Sequence, residues 1–318
     1  MSFILLTNWH GRFGNRMHQY AYGATYSKLN NTEFILPSDW EGTKLFKNQY
    51  HKVSSNDNLR LELNQTFKDW RTKERINKIV TSQYPNAIEI NPEIYPQNYK
   101  KYDNEIYFDS IAAYGNFVYA KMSRDFLLKV FEFSDEVKNT EAYKYWSSIK
   151  GTYDIAHLRR DDISDPNFNK NNLQGYSVIS KDSYYKAFDK YGFNSDNIIW
   201  VSDDYLNKWH IDRKKTKILG WSYPIGSNYD SEIIFDWLED FLKIYFARTI
   251  FRANSSFSWW ASFLSPTAVV YSPIMDKRVI YGVDALQEID VDFVKGNYPH
   301  WMYSETGLKE IRIPGDNK

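Results

Sequence analysis

Cysteine is absent from this 318-residue chain, which excludes disulfides, thiolate nucleophiles and cysteine-ligated metal and agrees with a reducing compartment. Excess charge is absent too. Forty basic residues stand against forty acidic ones, so net charge draws the chain toward neither nucleic acid nor an anionic membrane, and a bound anion has to be held by a local cluster. No window offers about 18 uninterrupted apolar residues, and the opening MSFILLTNW lacks the length and basic head of a signal peptide. The expectation is a soluble, cytoplasmic protein without a transmembrane segment and without a nucleic-acid partner.

Apolar residues make up 42% of the chain, enough for two cores at this length. FILLT (3 to 7), a glycine turn, then Met17, Tyr20, Ala21 and Ala24 at helical spacing, and EFILP (33 to 37) read as a β-α-β opening. Residues 40 to 105 are polar and aperiodic. The run from Asp109 to Lys150 reads as mostly helical and ends at Gly151, which puts a domain junction near 150. Beyond it, DIAHL, NIIWV, TKIL, TIFRA and AVVYS alternate with the helical patterns SKDSYYKAFDKY, SEIIFDWLEDFLKIYFA and NSSFSWWASFL. Such alternation predicts a parallel sheet covered on both faces. In the longest pattern, Ile233, Trp237, Phe241 and Tyr245 form an i, i+4 row beside Ile234, Leu238 and Leu242, a core stripe.

Three polar clusters fall at strand ends, where open parallel sheets bind ligands. HLRRDD, His157 to Asp162, sets two arginines after a buried-looking strand, and a guanidinium fork suits a phosphate or carboxylate; a solvated salt-bridge cluster, with Arg160 and Asp161 in water, is the competing reading. In NSSFSWW, Asn254, Ser255 and Ser256 supply a helix cap and first turn whose backbone N–H groups can seat a phosphate; ordinary capping competes, with Trp259, Trp260 and Phe263 simply packing. WVSDD ends a strand in Asp203 and Asp204, acceptors for a guanine edge or ribose hydroxyls, ligands for a metal, or a helix cap. The Asp-Val-Asp at 290 to 292 offers a separate metal-binding pair. Together the strand-end clusters describe a nucleotide-diphosphate site.

GRFGN (11 to 15), HLRRDD, SDD (202 to 204) and NSSFSWW (254 to 260), in this order, resemble the α-1,2-fucosyltransferase family and, more distantly, the α-1,6- and protein O-fucosyltransferases. Ser183-Tyr184-Tyr185 and the Glu239-Asp240 pair extend the resemblance over most of residues 1 to 275. The resemblance implies an α/β fold of GT-B type, with two Rossmann-like domains across a cleft: 1–150 with a helical insert on the acceptor side, 151–318 binding the nucleotide sugar. It implies an inverting transfer of L-fucose from GDP-β-L-fucose to a hydroxyl of a glycan acceptor, the 2-OH of a galactose or similar sugar, with no cofactor beyond the donor substrate and no metal. Carried over by residue, Arg159 binds the diphosphate, His157 and Asp162 shape that loop, and Asn254, Ser255, Ser256 and Phe257 form the phosphate-binding helix start. Asp203 or Asp204 meets the nucleoside, and Arg12, Gly14 and Asn15 face the sugar and leaving group. Candidate bases are Asp162, Asp165, His18 and His10.

The chain departs from the family pattern at Arg16, His18, Asp161 and Ile163, which marks these as specificity positions. Rival expectations are a transferase for another GDP-sugar, a protein O-fucosyltransferase, and a silent nucleotide-sugar or glycan-binding protein. A dinucleotide oxidoreductase fits poorly, since Gly11-x-x-Gly14 is not the required fingerprint. Peripheral association with a lipid-linked or polymeric glycan is the expected route to an acceptor.

Overall fold

In a computed structural model the chain divides into two compact units, Met1–Glu136 and Val137–Lys318. The structure describes residues 3–6, 9, 11–36, 40–51, 78, 80–82, 84–90, 106–108, 117–160, 178–203, 235, 237–274 and 288–298. No helix among them is long and apolar enough to cross a membrane.

The first unit opens on β1 (Phe3–Leu6), buried at all four residues, as an apolar run without alternation should be in a parallel sheet covered on both faces. The chain enters α1 (Phe13–Asn30) and returns as β2 (Glu33–Ile35), parallel to β1 with Phe3 opposite Glu33. α1 stops where Asn31 takes the left-handed conformation, φ 53°, a common helix ending. Gly23 of α1 faces Phe34 of β2 so closely that any Cβ there would collide with the ring, so glycine lets the helix lie directly on the sheet. After α2 (Gly42–Leu45), the strands β3 (Ile88–Glu89) and β4 (Ile106–Phe108) complete a parallel sheet in the order β2-β1-β4-β3.

α1 is buried on nearly every side because it lies between this sheet and the helices α3 (Phe117–Met122) and α4 (Arg124–Val130). The Tyr22 ring meets Tyr119 edge-on at 5.5 Å, and the Tyr119 hydroxyl donates to the His18 carbonyl at 2.9 Å. Trp40 stacks on Tyr20 at 4.8 Å and on Trp9 at 5.1 Å. His18 does not fit the role of candidate base, and Arg16 has an acidic partner within its own unit. His18 is wholly buried, and burial lowers its pKa to about 3, so the imidazole is a neutral core group and a poor base. Arg16 is held by an ion pair to Glu41, Nη1 to Oε1 3.1 Å.

His18 makes the first unit acid-sensitive. Its folded pKa lies below the unfolded value of 6.5, so the unfolded state binds more protons and stability falls as pH drops through 6.5. Going from pH 7.5 to 6 removes about 0.8 kcal/mol through His18, and His51, whose pKa burial also lowers, acts in the same direction. Urea unfolding followed at both pH values checks this, and His18→Gln should flatten the dependence.

The second unit begins earlier than the glycine at 151 suggests. The division falls within α5 (Asp135–Asn139), and α6 (Glu141–Ser148) packs on α8 (Leu238–Phe246), with the Tyr143 ring edge-on to Phe246 at 5.2 Å. The described part of the stretch expected to be helical, 117–150, holds four short helices, and the last of them belongs to the second core. The main sheet runs β11 (Asp292–Lys295), β9 (Val269–Ile274), β8 (Thr249–Phe251), β5 (Asp154–Leu158), β7 (Ile198–Ser202). All pairs are parallel except β11 with β9. A separate parallel pair joins β6 (Val178–Ile179) to β10 (Glu288–Ile289), two strands too short to be read from the sequence.

Strand alternation sorts the residues onto two faces. Ala156, Leu158, Trp200, Phe251 and Tyr271 pack against Tyr184, Ala187 and Phe188 of α7 (Lys181–Tyr191). Ser180 caps that helix by accepting from Ser183 N at 3.1 Å, and Gly192, φ 76°, ends it. The alternate residues of these strands, His157, Arg252 and Ser272, share the other face, where His157 meets α9 (Ser256–Leu264) through Phe257. Leu238, Phe241 and Leu242 of α8 are buried as their spacing predicts; Ile233 and Ile234 lie outside the described residues, as does the TKIL strand.

Candidate anion-binding site

The three strand-end clusters of the second unit come together. At the end of β5, the Arg160 backbone N–H donates to Asp203 Oδ1 at 2.5 Å, tying HLRRDD to the end of β7. The His157 ring lies 6.0 Å from that of Phe257, which joins the same loop to the first turn of α9. Tyr184 adds a third tie by donating its hydroxyl to the His157 carbonyl at 2.7 Å.

α9 begins where the sequence places it. Ser255 is extended, φ −136° and ψ 133°, and its hydroxyl accepts from Phe257 N at 3.3 Å. No acidic residue occupies the first turn, so the positive end of the helix is not compensated there. Asn254, Ser255 and Ser256 are all buried. Phe257 sits among Phe241 at 5.3 Å, Trp237 at 5.9 Å and His157, while Trp259, Trp260 and Phe263 pack into the core as the competing reading had it.

The neighbouring arginines separate into different roles. Arg160 is not solvated: it is 1% exposed, and its guanidinium donates to the carbonyls of Arg159 at 3.0 Å and Ile179 at 2.8 Å, with Glu288 3.7 Å away. It fastens the β6-β10 pair to the end of β5. Arg159 is half-buried at the strand's tip. A third arginine was hidden inside TIFRA. Arg252, directly after β8, is fully buried. Its Nε and Nη2 donate to Ser272 Oγ at 3.2 and 3.1 Å, and Nη2 donates to the Tyr298 carbonyl at 2.5 Å. Nη1 meets no hydrogen-bond partner, and no carboxylate pairs with the group among the described residues. Burial lowers the Arg252 pKa to about 9, so it stays charged at neutral pH. A basic residue closing an apolar strand was the signal that could have found it.

His157 registers the resulting field. It is buried, and its pKa falls to about 3, first through burial and then through Arg159, Arg252 and Arg160. Its Nδ1 has no hydrogen-bond partner among the described residues. A neutral imidazole and three guanidinium groups thus lie around the carboxyl ends of β5 and β8. On the acidic side, burial raises Asp240 of α8 to about 6, with Lys243 Nζ 2.7 Å from its Oδ1 opposing the shift and Glu239 and Asp203 adding to it. Asp240 is stabilising in its protonated form, so its contribution is lost as pH rises through 6, opposite in sign to His157. The second unit should therefore lose less stability than the first between pH 7.5 and 6.

Among the described residues no three His, Cys, Asp or Glu side chains gather to hold a metal. Asp290 accepts from Ser180 Oγ at 2.5 Å and pairs with Lys186 Nζ at 2.8 Å, so it anchors the start of α7, while Asp292 is exposed. Asp162, Asp165, Asp204, His10, Asp161 and Ile163 lie outside the described residues.

In the first unit, GRFGN forms the entry to α1. Gly11 has φ 67°, Arg12 is the extended N-cap, and Phe13, Gly14 and Asn15 make the first turn. A Cβ on Gly11 would collide with the Asn15 amide, so the Asn15 side chain folds over the glycine. Gly11→Ala should cost about 1–2 kcal/mol from the left-handed backbone and the displaced amide, read as a shift in the urea midpoint.

No protein-family model matches the chain, and no curated protein matches it by sequence. Solved structures do match its fold. A NodZ α-1,6-fucosyltransferase soaked with GDP-fucose aligns at TM-score 0.50 and 11% identity, over 93% of this chain and all of that one. A fucosyltransferase NodZ from Bradyrhizobium aligns at TM-score 0.50 and 10% identity, over 93% of this chain and 99% of the other. The chain has the mixed α/β fold, with parallel sheets and helices, of these fucosyltransferase structures.

Proposed function

We propose that this chain is a GDP-fucose-dependent fucosyltransferase of GT-B architecture, its nucleotide diphosphate seated at the carboxyl ends of β5, β7 and β8. The observation that carries this reading is the buried, charged Arg252 with an open Nη1, beside Arg159, Arg160 and the uncompensated start of α9. A buried cation without a carboxylate is costly unless a ligand anion completes it. The fold shared with a NodZ enzyme soaked with GDP-fucose supports a GDP-sugar as that anion.

In this reading Arg159 contacts the diphosphate, Ser255, Ser256 and Phe257 offer the N–H groups of α9, and Asp203 and Asp204 hold the nucleoside. The division of labour in this reading is an acceptor-side first unit and a donor-side second unit. The acceptor hydroxyl oxygen forms a bond to C1 of fucose with inversion as the C1–O bond to GDP breaks. GDP leaves with that electron pair, and the acceptor proton passes to a base, for which Asp162 is the candidate. Growing charge on the diphosphate is met by fixed guanidinium groups and helix N–H groups rather than by a metal. The acceptor is a glycan hydroxyl, with the 2-OH of a galactose-like sugar the first to test.

GDP release from GDP-fucose, compared with other GDP-sugars over a panel of glycans and with and without EDTA, tests this directly. Fucose-selective release that persists in EDTA is expected. Release restricted to another GDP-sugar would reassign the donor, loss in EDTA would restore a metal, and GDP binding without turnover would leave a silent binding protein.

A further inference from the structure

β8 and β9 end side by side, and Arg252 is tied to β9 twice. Its backbone N–H donates to the Tyr271 carbonyl at 2.9 Å, and its side chain reaches the next residue of that strand, Ser272. Ser272 is wholly buried. Its hydroxyl donates to the Gly296 carbonyl at 2.7 Å and accepts from the Tyr298 N–H at 3.1 Å, from Arg252 Nε at 3.2 Å and from Arg252 Nη2 at 3.1 Å. A hydroxyl offers one hydrogen and two lone pairs. The segment Gly296–Tyr298 takes the hydrogen and one lone pair, and the guanidinium edge takes the other. That segment is fixed in turn, since the Gly296 N–H donates to the Val270 carbonyl at 2.7 Å and Asn297 Nδ2 donates to the Trp259 carbonyl of α9 at 3.2 Å.

Arg252 is therefore clamped along its Nε–Nη2 edge, with the Tyr298 carbonyl accepting from Nη2 at 2.5 Å as well. Nη1 is the nitrogen left without a hydrogen-bond partner among the described residues. We propose that Ser272 is a positioning residue for the anion site, its hydroxyl locking the Arg252 guanidinium so that Nη1 is held ready for a phosphate oxygen. This rests on the diphosphate seat proposed above and adds the group that orients its buried cation. The gain is preorganisation: a guanidinium already fixed by Ser272 gives up little rotamer freedom when the anion arrives.

GDP and guanosine titrations on wild type, Ser272→Ala, Arg252→Met and the double variant Ser272→Ala/Arg252→Met test the proposal. Ser272→Ala should lower GDP affinity about tenfold, the size of one displaced charge-assisted hydrogen bond, with guanosine affinity unchanged. Ser272→Cys, close in shape but a weak acceptor, should fall between alanine and wild type and guards against a loss caused by packing. In the Arg252→Met background Ser272→Ala should cost almost nothing more, because the group it orients is gone while its bonds to Gly296 and Tyr298 were independent of it. Unchanged GDP affinity in Ser272→Ala, an equal loss of guanosine affinity, or a tenfold loss that persists beside Arg252→Met overturns the positioning role; the last two results would make Ser272 a prop for the Gly296–Tyr298 segment. Wild type that binds GDP no better than guanosine, or Arg252→Met that binds GDP like wild type, overturns the diphosphate seat and this proposal with it. Thermal unfolding of the same preparations separates a misplaced guanidinium from a lost fold.

Discussion

Arg159→Ala should lower kcat for fucosyl transfer by on the order of a hundredfold or more while leaving the protein folded. Of the three arginines around His157, Arg160 and Arg252 are buried and hydrogen-bonded into the fold, whereas Arg159 is half-buried at the tip of β5. In the proposed mechanism its removal takes away the cation that follows charge onto the leaving diphosphate. The loss should appear in kcat more than in KM, because the interaction strengthens as the C1–O bond breaks. Arg159→Lys should recover only part of it, since an ammonium keeps the charge without the two-pronged geometry. A near-normal kcat in Arg159→Ala would remove Arg159 from the machinery.

Arg252 should behave differently according to what replaces it. Arg252→Ala removes the donors to Ser272 Oγ and the Tyr298 carbonyl and opens a cavity in the core, at a cost of about 3–5 kcal/mol. Arg252→Met fills a similar volume and removes a desolvated charge, so its effect on stability should stay within about 1 kcal/mol. GDP affinity should nonetheless fall. For a phosphate charge taken at about 8 Å and an effective dielectric of about 20, the interaction is worth about 2 kcal/mol, or roughly thirtyfold. A group kept only for packing would show the first effect without the second. Thermal unfolding and GDP titration on the two variants distinguish these outcomes.

Much of this arrangement is legible in the sequence. FILL, EFI, DIAHL, IIWVS, TIF and VVYSPI are apolar runs short enough to be strands and bounded by polar text, and each appears where its pattern indicates. The start of α9 is equally readable, because Ser255 caps through its own side chain and needs no distant partner. β6 and β10 are not, since two-residue strands carry no period and exist only because each pairs with the other.

The buried arginines were hidden for a related reason. From composition alone arginine is a surface residue, and the partners that permit its burial lie far along the chain: Ile179 and Glu288 for Arg160, Ser272 and Tyr298 for Arg252. HLRRDD announces a cluster of charge without saying which guanidinium turns inward. His18 misleads in the opposite direction: a histidine beside a polar turn suggests chemistry, yet it occupies a helix buried between a sheet and two other helices, where burial holds it neutral. The residues that make the site are thus visible as types and positions, whereas their division between holding the fold and meeting a ligand is a property of tertiary contacts.

Calorimetric titration of GDP, with guanosine as the uncharged control, into the wild type and Arg252→Met tests the central claim most directly. The expected result is GDP binding that far exceeds guanosine binding in the wild type and falls roughly thirtyfold in Arg252→Met, with guanosine affinity unchanged. Equal affinity of wild type for GDP and guanosine, or equal GDP affinity in the two proteins, would contradict a diphosphate seat at the ends of β5 and β8.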